Sequence, residues 1–340
     1  MARLCLLVAA LCWAGNLLVG RIAAAAFDAA SLNLARWGIA AWVLLPLALP
    51  ELWRERATLL REWRVLVALA FTGAAGFHTL QYAALARTET VNVALYIATV
   101  PLLVLLLSRL NGGRLTRRQW IGASASVLGA VVVVTRGELD RLLALSFATG
   151  DLLEILAVPL WAGYCALLAR RPPELSGIAF LAVIALLGTV LTLPFFLLLE
   201  TRIVPGPLAL ASMLYVGLFP SLLAYLCWNA GSAALGAGQA APYNNLVPIF
   251  GALFGMLLLG EPLHGYHLAA SALVAVGILA AESGRPFPPS AGAESQLAVA
   301  PGPAGTGKDH RSCRTAPENA CRYPPREAIS CGAARDRRGG

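Results

Sequence analysis

Charged residues are scarce in this sequence. Only 13% of its 340 residues are acidic or basic and Lys308 is its only lysine, whereas 58% are hydrophobic. A soluble domain of this size needs far more charge to cover its surface. The apolar residues also fall in runs of about 20, the length that spans a ~30 Å hydrocarbon core. Composition therefore excludes an ordinary soluble protein and predicts an all-α polytopic membrane protein whose surroundings are the lipid bilayer.

The motifs of common enzymes and metal sites are missing as well. The sequence has no G-x-S-x-G motif, no pair of aspartates inside the apolar runs and no C-x-x-C spacing among its seven cysteines. The stretch GPAGTGKD at 302–309 resembles a phosphate-binding loop, but Asp309 stands where such a loop needs a hydroxyl group. We therefore predict no catalytic residue, no metal and no cofactor, in a protein that is not an enzyme.

The net charge of +8 comes almost wholly from arginine. The arginines cluster in short loops between apolar runs, which favours an orientation signal over a nucleic-acid surface. If the N-terminus is cytoplasmic, the loops on its side of the membrane hold ten of these loop arginines and the opposite loops hold five. The positive-inside rule then places both termini in the cytoplasm and the chain in the cell (inner) membrane.

The apolar runs predict about ten transmembrane helices. Their approximate limits are 4–22, 31–50, 65–86, 91–109, 119–135, 150–170, 177–199, 208–229, 238–259 and 264–282. After them the composition changes to Pro, Gly, Ala, Ser and Arg, which predicts a disordered cytoplasmic tail over 284–340.

An internal repeat divides these spans into two halves. Spans one and six share the sequence WAG, with Trp13 and Trp161 148 residues apart. Spans four and nine each carry a tyrosine followed five residues later by a proline, and Tyr96 and Tyr243 are 147 residues apart. Because each half holds five spans, an odd number, the two repeats are predicted to be inverted, as in many secondary transporters that work by alternating access. The predicted five-helix repeats cover 1–137 and 148–283.

Polar side chains clustered inside the spans mark a candidate substrate pathway. Each such side chain needs a partner at membrane depth, so several on one helix face are informative. Pro242 and Pro248 also free backbone carbonyls in span nine, which is tolerated where the backbone is buried or lines a wet cavity. The alternative is hydrogen bonding between helices, worth about 0.6 kcal/mol per bond, and for the tryptophans it is anchoring at the membrane interface. The candidate pathway residues are Trp13, Asn16, His78, Gln81, Tyr82, Asn92, Tyr96, Trp161, Tyr164, Gln239, Tyr243, Asn244 and Asn245.

Two other patterns predict structural roles. Asp151 and Glu154 have the spacing of a helix N-cap and a capping-box glutamate, which we favour over a pair of functional carboxylates. Gly251 and Gly255 form G-x-x-x-G, which predicts close packing between helices.

Together, the two five-span halves, the repeated tryptophan motif and the run NNLVPIFGALFGMLLLGEPL resemble the EamA-type transporters of the drug/metabolite transporter superfamily. The resemblance covers roughly residues 4–282. It implies ten helices around a central cavity and export or exchange of small metabolites. Arg36 and Glu261 match residues that the family tends to place at these points, whereas Arg114 stands where the first repeat would carry the equivalent glutamate.

The function predicted from sequence is that of a secondary transporter. It would move a small polar metabolite or amphipathic compound, as an exporter, by alternating access. The alternative is a non-transporting membrane scaffold or accessory subunit, whose polar residues would face outward to a partner. The expected partners are a small-molecule substrate and lipid, with no nucleic acid; a homodimer is left open.

Overall fold

The computed structural model describes residues 1–23, 25–143, 147–198, 203–259 and 262–284. Glu261, the phosphate-loop-like stretch at 302–309 and the predicted tail beyond residue 284 lie outside these described residues. The described residues are helical throughout, with short connections and no β-strand. Their α-helices are α1 (Ala2–Ala23), α2 (Ala29–Arg54), α3 (Arg56–Arg61), α4 (Trp63–Ala70), α5 (Gly76–Leu85), α6 (Thr90–Ala98), α7 (Val100–Leu110), α8 (Arg117–Val134), α9 (Leu139–Leu143), α10 (Thr149–Leu167), α11 (Gly177–Leu198), α12 (Pro207–Val216), α13 (Ala224–Leu235), α14 (Ala237–Ala240), α15 (Leu246–Leu259) and α16 (Gly265–Glu282).

Length and composition make this a multi-pass helical membrane protein. Large apolar side chains such as Trp42, Leu156 and Val276 are exposed on the outer helix faces, where a lipid environment would cover them. Eight helical segments of the described residues are long and apolar enough to cross a membrane: Ala2–Gly20, Ala29–Arg54, Trp63–Leu85, Asn92–Leu110, Thr149–Arg170, Gly177–Leu198, Pro207–Leu235 and Gly265–Glu282.

The predicted fifth and ninth spans, 119–135 and 238–259, are not among these eight. Helix α8 begins with two arginines and is rich in glycine and serine, which lowers its hydropathy. The ninth segment is divided into α14, a 3₁₀ turn over Ala241–Asn245 and α15. The count of ten spans therefore stays a prediction.

Two of the spanning segments contain a π-helical stretch near their middle. One is Phe71–Ala75, between α4 and α5, and the other is Gly217–Leu223, between α12 and α13. A π-helical turn breaks the regular i→i−4 ladder and leaves carbonyl groups open to other donors. The two stretches lie about one repeat length apart in the chain.

Small residues set the closest helix contact. Helix α8 packs along α16, and a Cβ added at Gly122 would lie 2.4 Å from the carbonyl oxygen of Gly277. The predicted close packing at Gly251 is wrong, because nothing lies within 4 Å of the point where its Cβ would stand. The other main contacts pair α2 with α11, α1 with α13, and α5 with α10.

The predicted cap at Asp151 is also wrong. Helix α10 begins at Thr149 with Ala148 as its N-cap, so Asp151 is the third helical residue and its Oδ2 accepts from the Ala148 amide at 2.5 Å. Glu154 consequently lies inside the helix, fully buried, rather than in the capping box. The sequence pattern predicted the helix start but misplaced it by three residues.

Candidate substrate cavity

A cavity lies among helices from both halves of the chain. Water-sized molecules can occupy about 50 Å³ inside it, room for roughly three to five waters at 10–15 Å³ each. A larger solute therefore requires the surrounding helices to separate. The cavity is lined by Trp13, Asn16, Leu17, Phe77, His78, Gln81, Ile97, Trp161, Tyr225, Asn244 and Val247.

Aromatic rings form a large part of its wall. Trp13 meets Trp161 edge to face with ring centroids 5.1 Å apart, and Trp161 stacks on Phe77 at 5.3 Å and on Tyr164 at 5.3 Å. Tyr225 lies 5.9 Å from Trp13. Such contacts stabilise by about 0.5–1.5 kcal/mol beyond burial and hold the rings in fixed orientations.

The π-helical stretches fix two of these rings. The indole Nε1 of Trp13 donates to the Pro220 carbonyl oxygen at 3.0 Å, and the Tyr225 hydroxyl donates to the Gly73 carbonyl oxygen. Gly73 and Pro220 are 147 residues apart. One carbonyl in each π-helical stretch therefore accepts from an aromatic residue that lines the cavity.

Two amide–phenol hydrogen bonds lie around the cavity and follow the same repeat. Tyr82 donates to Asn16 Oδ1 at 3.1 Å in the first half, and Tyr164 donates to Asn229 Oδ1 at 2.7 Å in the second. The repeat offset pairs Asn16 with Tyr164 and Tyr82 with Asn229, so the amide and the phenol exchange places between halves. A third amide, Asn244, accepts from the Trp161 indole at 3.0 Å through its Oδ1.

The structure brings eight of the thirteen candidate pathway residues to the cavity or against its wall. Six line it directly, namely Trp13, Asn16, His78, Gln81, Trp161 and Asn244. Tyr82 and Tyr164 stand behind this lining and hold it through the two amide–phenol bonds.

The other five candidates do not line the cavity in this conformation. Gln239 donates to the carbonyl oxygen of Gly284 at 3.1 Å, and Tyr243 donates to Glu282 Oε1 at 2.7 Å. Both therefore contact the C-terminal end of α16 and the residues just after it. Asn245 donates to Ser126 Oγ at 3.1 Å and to the Ala98 carbonyl oxygen at 3.3 Å, which joins three spans by hydrogen bonds.

Asn92 and Tyr96 lie on the side of α6 towards α10. Asn92 donates to Asp151 Oδ1 at 3.0 Å, and Thr88 donates to the same oxygen at 2.8 Å. Tyr96 is half-buried and packs against the apolar core. These contacts match the interhelical hydrogen bonding that the sequence left open as the alternative.

Sequence reasoning missed Tyr225 and Phe77. Tyr225 lies 147 residues after His78, so the repeat offset applied to that candidate would have identified it. Phe77 precedes His78 and is apolar, and the search for polar faces passed over it.

Two ionisable side chains are fully buried behind the cavity. Arg36 donates from Nε to Ser221 Oγ at 2.6 Å and from Nη1 to the Tyr82 hydroxyl at 3.0 Å. Glu154 has no donor in hydrogen-bonding geometry at either carboxyl oxygen among the described residues, and Gln81 is the polar side chain beside it.

Fold and cavity define the class of protein: a multi-pass helical membrane protein with an aromatic, amide-bearing cavity between its helices, as in transporters of small molecules. The chain belongs to the EamA-like transporter family, whose family model matches residues 1–135 and again residues 148–281. It is therefore a transporter.

Individual relatives agree with this assignment. The chain is 26% identical over 255 residues to the "Uncharacterized transporter YyaM" of Bacillus subtilis (strain 168), covering 72% of this chain and 82% of the relative. It is 26% identical over 272 residues to the "Probable terminal-alkyne amino-acid exporter" of Streptantibioticus cattleyicolor, covering 78% and 88%. A solved crystal structure with 23% identity superposes with a TM-score of 0.67 over 82% of this chain and 96% of that one, which supports the fold.

Proposed function

We propose that this protein exports a small metabolite with polar and apolar parts by alternating access through the aromatic cavity. The observation that carries the proposal is the shared lining: residues from both halves of the chain surround one cavity that is too small for such a molecule in this conformation. Family membership and a relative named as an amino-acid exporter support export and suggest amino acids as first probes.

The proposed mechanism requires two inverted halves of five spans each. The packing of α1 on α13 and of α5 on α10 supports this, because the repeat offset converts one contact into the other. The two successive family matches and the paired π-helical stretches support it as well. In such transporters one half rocks against the other around a fixed central site.

The proposed orientation has both termini in the cytoplasm, from the arginine distribution. Loops near Glu55 and Arg114 would then be cytoplasmic, and the loop near Gly206 would face the outside. The position of Arg202, in that same loop, lies outside the described residues.

The competing function, a non-transporting scaffold, needs polar groups on the outer helix faces. The polar candidate residues described above line the cavity or form hydrogen bonds between helices. Transport is therefore the better account.

A metabolite-wide comparison of culture medium tests the proposal. Cells that produce the wild-type protein should accumulate at least one metabolite outside, and cells with Trp161→Ala should not, because that change removes the ring between three cavity aromatics. Val276→Ala, on the lipid-facing surface, serves as the matched control and should export normally. Equal media for wild type and Trp161→Ala, at equal membrane abundance, would contradict the proposal.

A further inference from the structure

Arg36 is a permanent cation buried in a membrane span, with no counter-ion among the residues that the structure describes. Its side chain is fully buried in α2, and a guanidinium does not lose its proton in proteins. No acidic side chain of the described residues forms a salt bridge with it, and its Nη2 has no acceptor among them. A charge at membrane depth costs about 2.5–3.5 kcal/mol on insertion scales, so such residues usually mark a functional site.

Neutral groups support the guanidinium without neutralising it. The Ser221 hydroxyl accepts from Arg36 and donates onward to the Val216 carbonyl oxygen at 2.6 Å. The guanidinium carbon lies 5.5 Å from the centroid of the Trp37 ring and 5.8 Å from that of Tyr82. These contacts orient the cation and leave Nη2 without an acceptor and the charge without a counter-ion among the described residues.

The cation lies directly behind the cavity wall. Tyr82 joins it to the cavity, because its hydroxyl accepts from Arg36 and donates to Asn16. His78 and Tyr225, which line the cavity, pack against the two rings that Arg36 contacts: His78 lies 6.3 Å from Tyr82 and Tyr225 lies 4.9 Å from Trp37, between ring centroids. One layer of side chains therefore separates the Arg36 charge from the cavity.

The repeat shows that the two-fold architecture does not require this charge. The offset of 147 to 148 residues places Val183 or Ile184 at the equivalent position, and both are buried and apolar. The aromatic rings and the amide–phenol bonds recur in both halves, whereas the cation occurs in one. A single cation gives the two-fold cavity one distinct end and therefore a direction for an asymmetric solute.

We infer that Arg36 binds the carboxylate of the transported molecule, whose apolar part occupies the aromatic cavity. This inference rests on the proposed function of the cavity as the substrate pathway. A monoanion matches the single uncompensated charge, whereas a phosphate dianion would leave a net negative charge in the membrane. Charge-assisted bonds to a carboxylate are about twice as strong as neutral ones, and Nη2 is free to make one.

The test is a binding comparison with two probes of the same shape. Tryptophan fluorescence of the purified full-length chain reports occupancy, because Trp13 and Trp161 line the cavity. The probes are 3-phenylpropionate and 3-phenylpropionamide at neutral pH. Wild type should bind the acid more tightly than the amide by roughly 10- to 100-fold, the value of a hydrogen bond to a charged group. Arg36→Gln should remove that preference.

Arg171→Gln is the matched control. Like Arg36, Arg171 is buried and has one guanidinium nitrogen, Nη1, without an acceptor among the described residues. Its other contacts differ, because its Nη2 donates to the Leu175 carbonyl oxygen and its guanidinium lies over the Phe180 ring, and neither of those residues lines the cavity. This variant should keep the preference for the acid. If Arg36→Gln fails to fold, Arg36→Lys carries the test, because lysine keeps the charge but loses the guanidinium donors and should lower the preference severalfold.

The inference would be overturned if the Arg36 variant that folds kept the preference unchanged. It would also be overturned if the wild type bound neither probe, or bound both equally. A different result would contradict the proposed function. If wild type prefers the acid but no metabolite accumulates outside producing cells, Arg36 remains a carboxylate site in a protein that does not export.

Discussion

At the scale of single residues, α10 carries two buried acids with opposite surroundings. Asp151 accepts from Thr88, Asn92 and the Ala148 amide, whereas Glu154 has no donor in hydrogen-bonding geometry among the described residues. An ionised carboxylate without partners would be costly in such a place, which favours the neutral acid at Glu154. The two acids therefore respond differently to replacement by an amide.

Asp151→Asn should lower the free energy of unfolding by about 1–3 kcal/mol. The asparagine NH₂ group would replace one of the accepting carboxylate oxygens and would then face a hydrogen-bond donor. Glu154→Gln should change it by less than about 0.5 kcal/mol, since shape and neutrality are kept. Unfolding of the purified protein in mixed micelles measures both. Equal destabilisation by the two changes would mean that the Glu154 carboxyl accepts hydrogen bonds in the folded protein, as that of Asp151 does.

The sequence predicted the cavity-lining face of α5 but not the directions of residues 243–245. The segment Ala241–Asn245 is a 3₁₀ turn, in which successive side chains are about 120° apart rather than 100°. Tyr243 contacts Glu282, Asn244 lines the cavity and Asn245 contacts Ser126, so three consecutive residues point in three directions. A helical wheel with 3.6 residues per turn also separates these three residues, so the sequence alone does not indicate which of them faces the cavity.

At the scale of helices, the π-helical stretches depend on donors from neighbouring spans. The Tyr225 hydroxyl supplies the donor to the Gly73 carbonyl oxygen inside the buried stretch Phe71–Ala75. No sequence pattern predicted these stretches. The two segments share no sequence motif, and the only residues in them that could have suggested an irregular helix are small residues and a proline. Their role is therefore testable only through the donors that the structure places there.

Tyr225→Phe should lower the free energy of unfolding by about 0.6–1.7 kcal/mol, which runs from the average to the largest value measured for hydrogen bonds between membrane helices. Tyr215→Phe is the control, because that hydroxyl lies 3.4 Å from the Cys12 carbonyl oxygen, a long and weak contact. It should change stability little. Matching losses in the two variants would show that the Gly73 carbonyl does not need its donor.

The contact between α8 and α16 depends on glycine. A side chain at Gly277 would collide with the backbone of Gly122 and Ser126, which cannot move aside as a flexible side chain can. Gly277→Val should therefore destabilise the protein by about 1–3 kcal/mol and reduce its membrane abundance.

Gly251→Val should leave stability and membrane abundance unchanged, because nothing lies within 4 Å of a Cβ added at Gly251. Thermal unfolding and membrane abundance measured side by side decide the point. A normal Gly277→Val variant would mean that the two helices lie farther apart than described.

At the scale of the whole molecule, the two halves share one cavity and differ in charge. Apolar run length predicted the membrane class, and the WAG repeat predicted the cavity residues Trp13 and Trp161. The repeat could not predict the isolated cation behind the wall, because symmetry is informative only about what recurs. Arg36 was visible in the sequence as a family-like arginine, but that no acidic side chain of the described residues pairs with it is a property of the packed structure.

The central claim is that the cavity opens to each side of the membrane in turn. The most direct measurement uses Val247→Cys, in the cavity lining, in a chain whose seven native cysteines are replaced by serine. A membrane-impermeant thiol reagent is added to right-side-out and to inverted vesicles. Val276→Cys, which faces lipid, and Glu55→Cys and Gly206→Cys, in loops predicted on opposite sides, are the controls.

The account predicts that the Val247→Cys position is labelled from both sides, the Val276→Cys position from neither, and each loop position from one side only. Labelling of both loop controls with none of Val247→Cys from either side would contradict the claim.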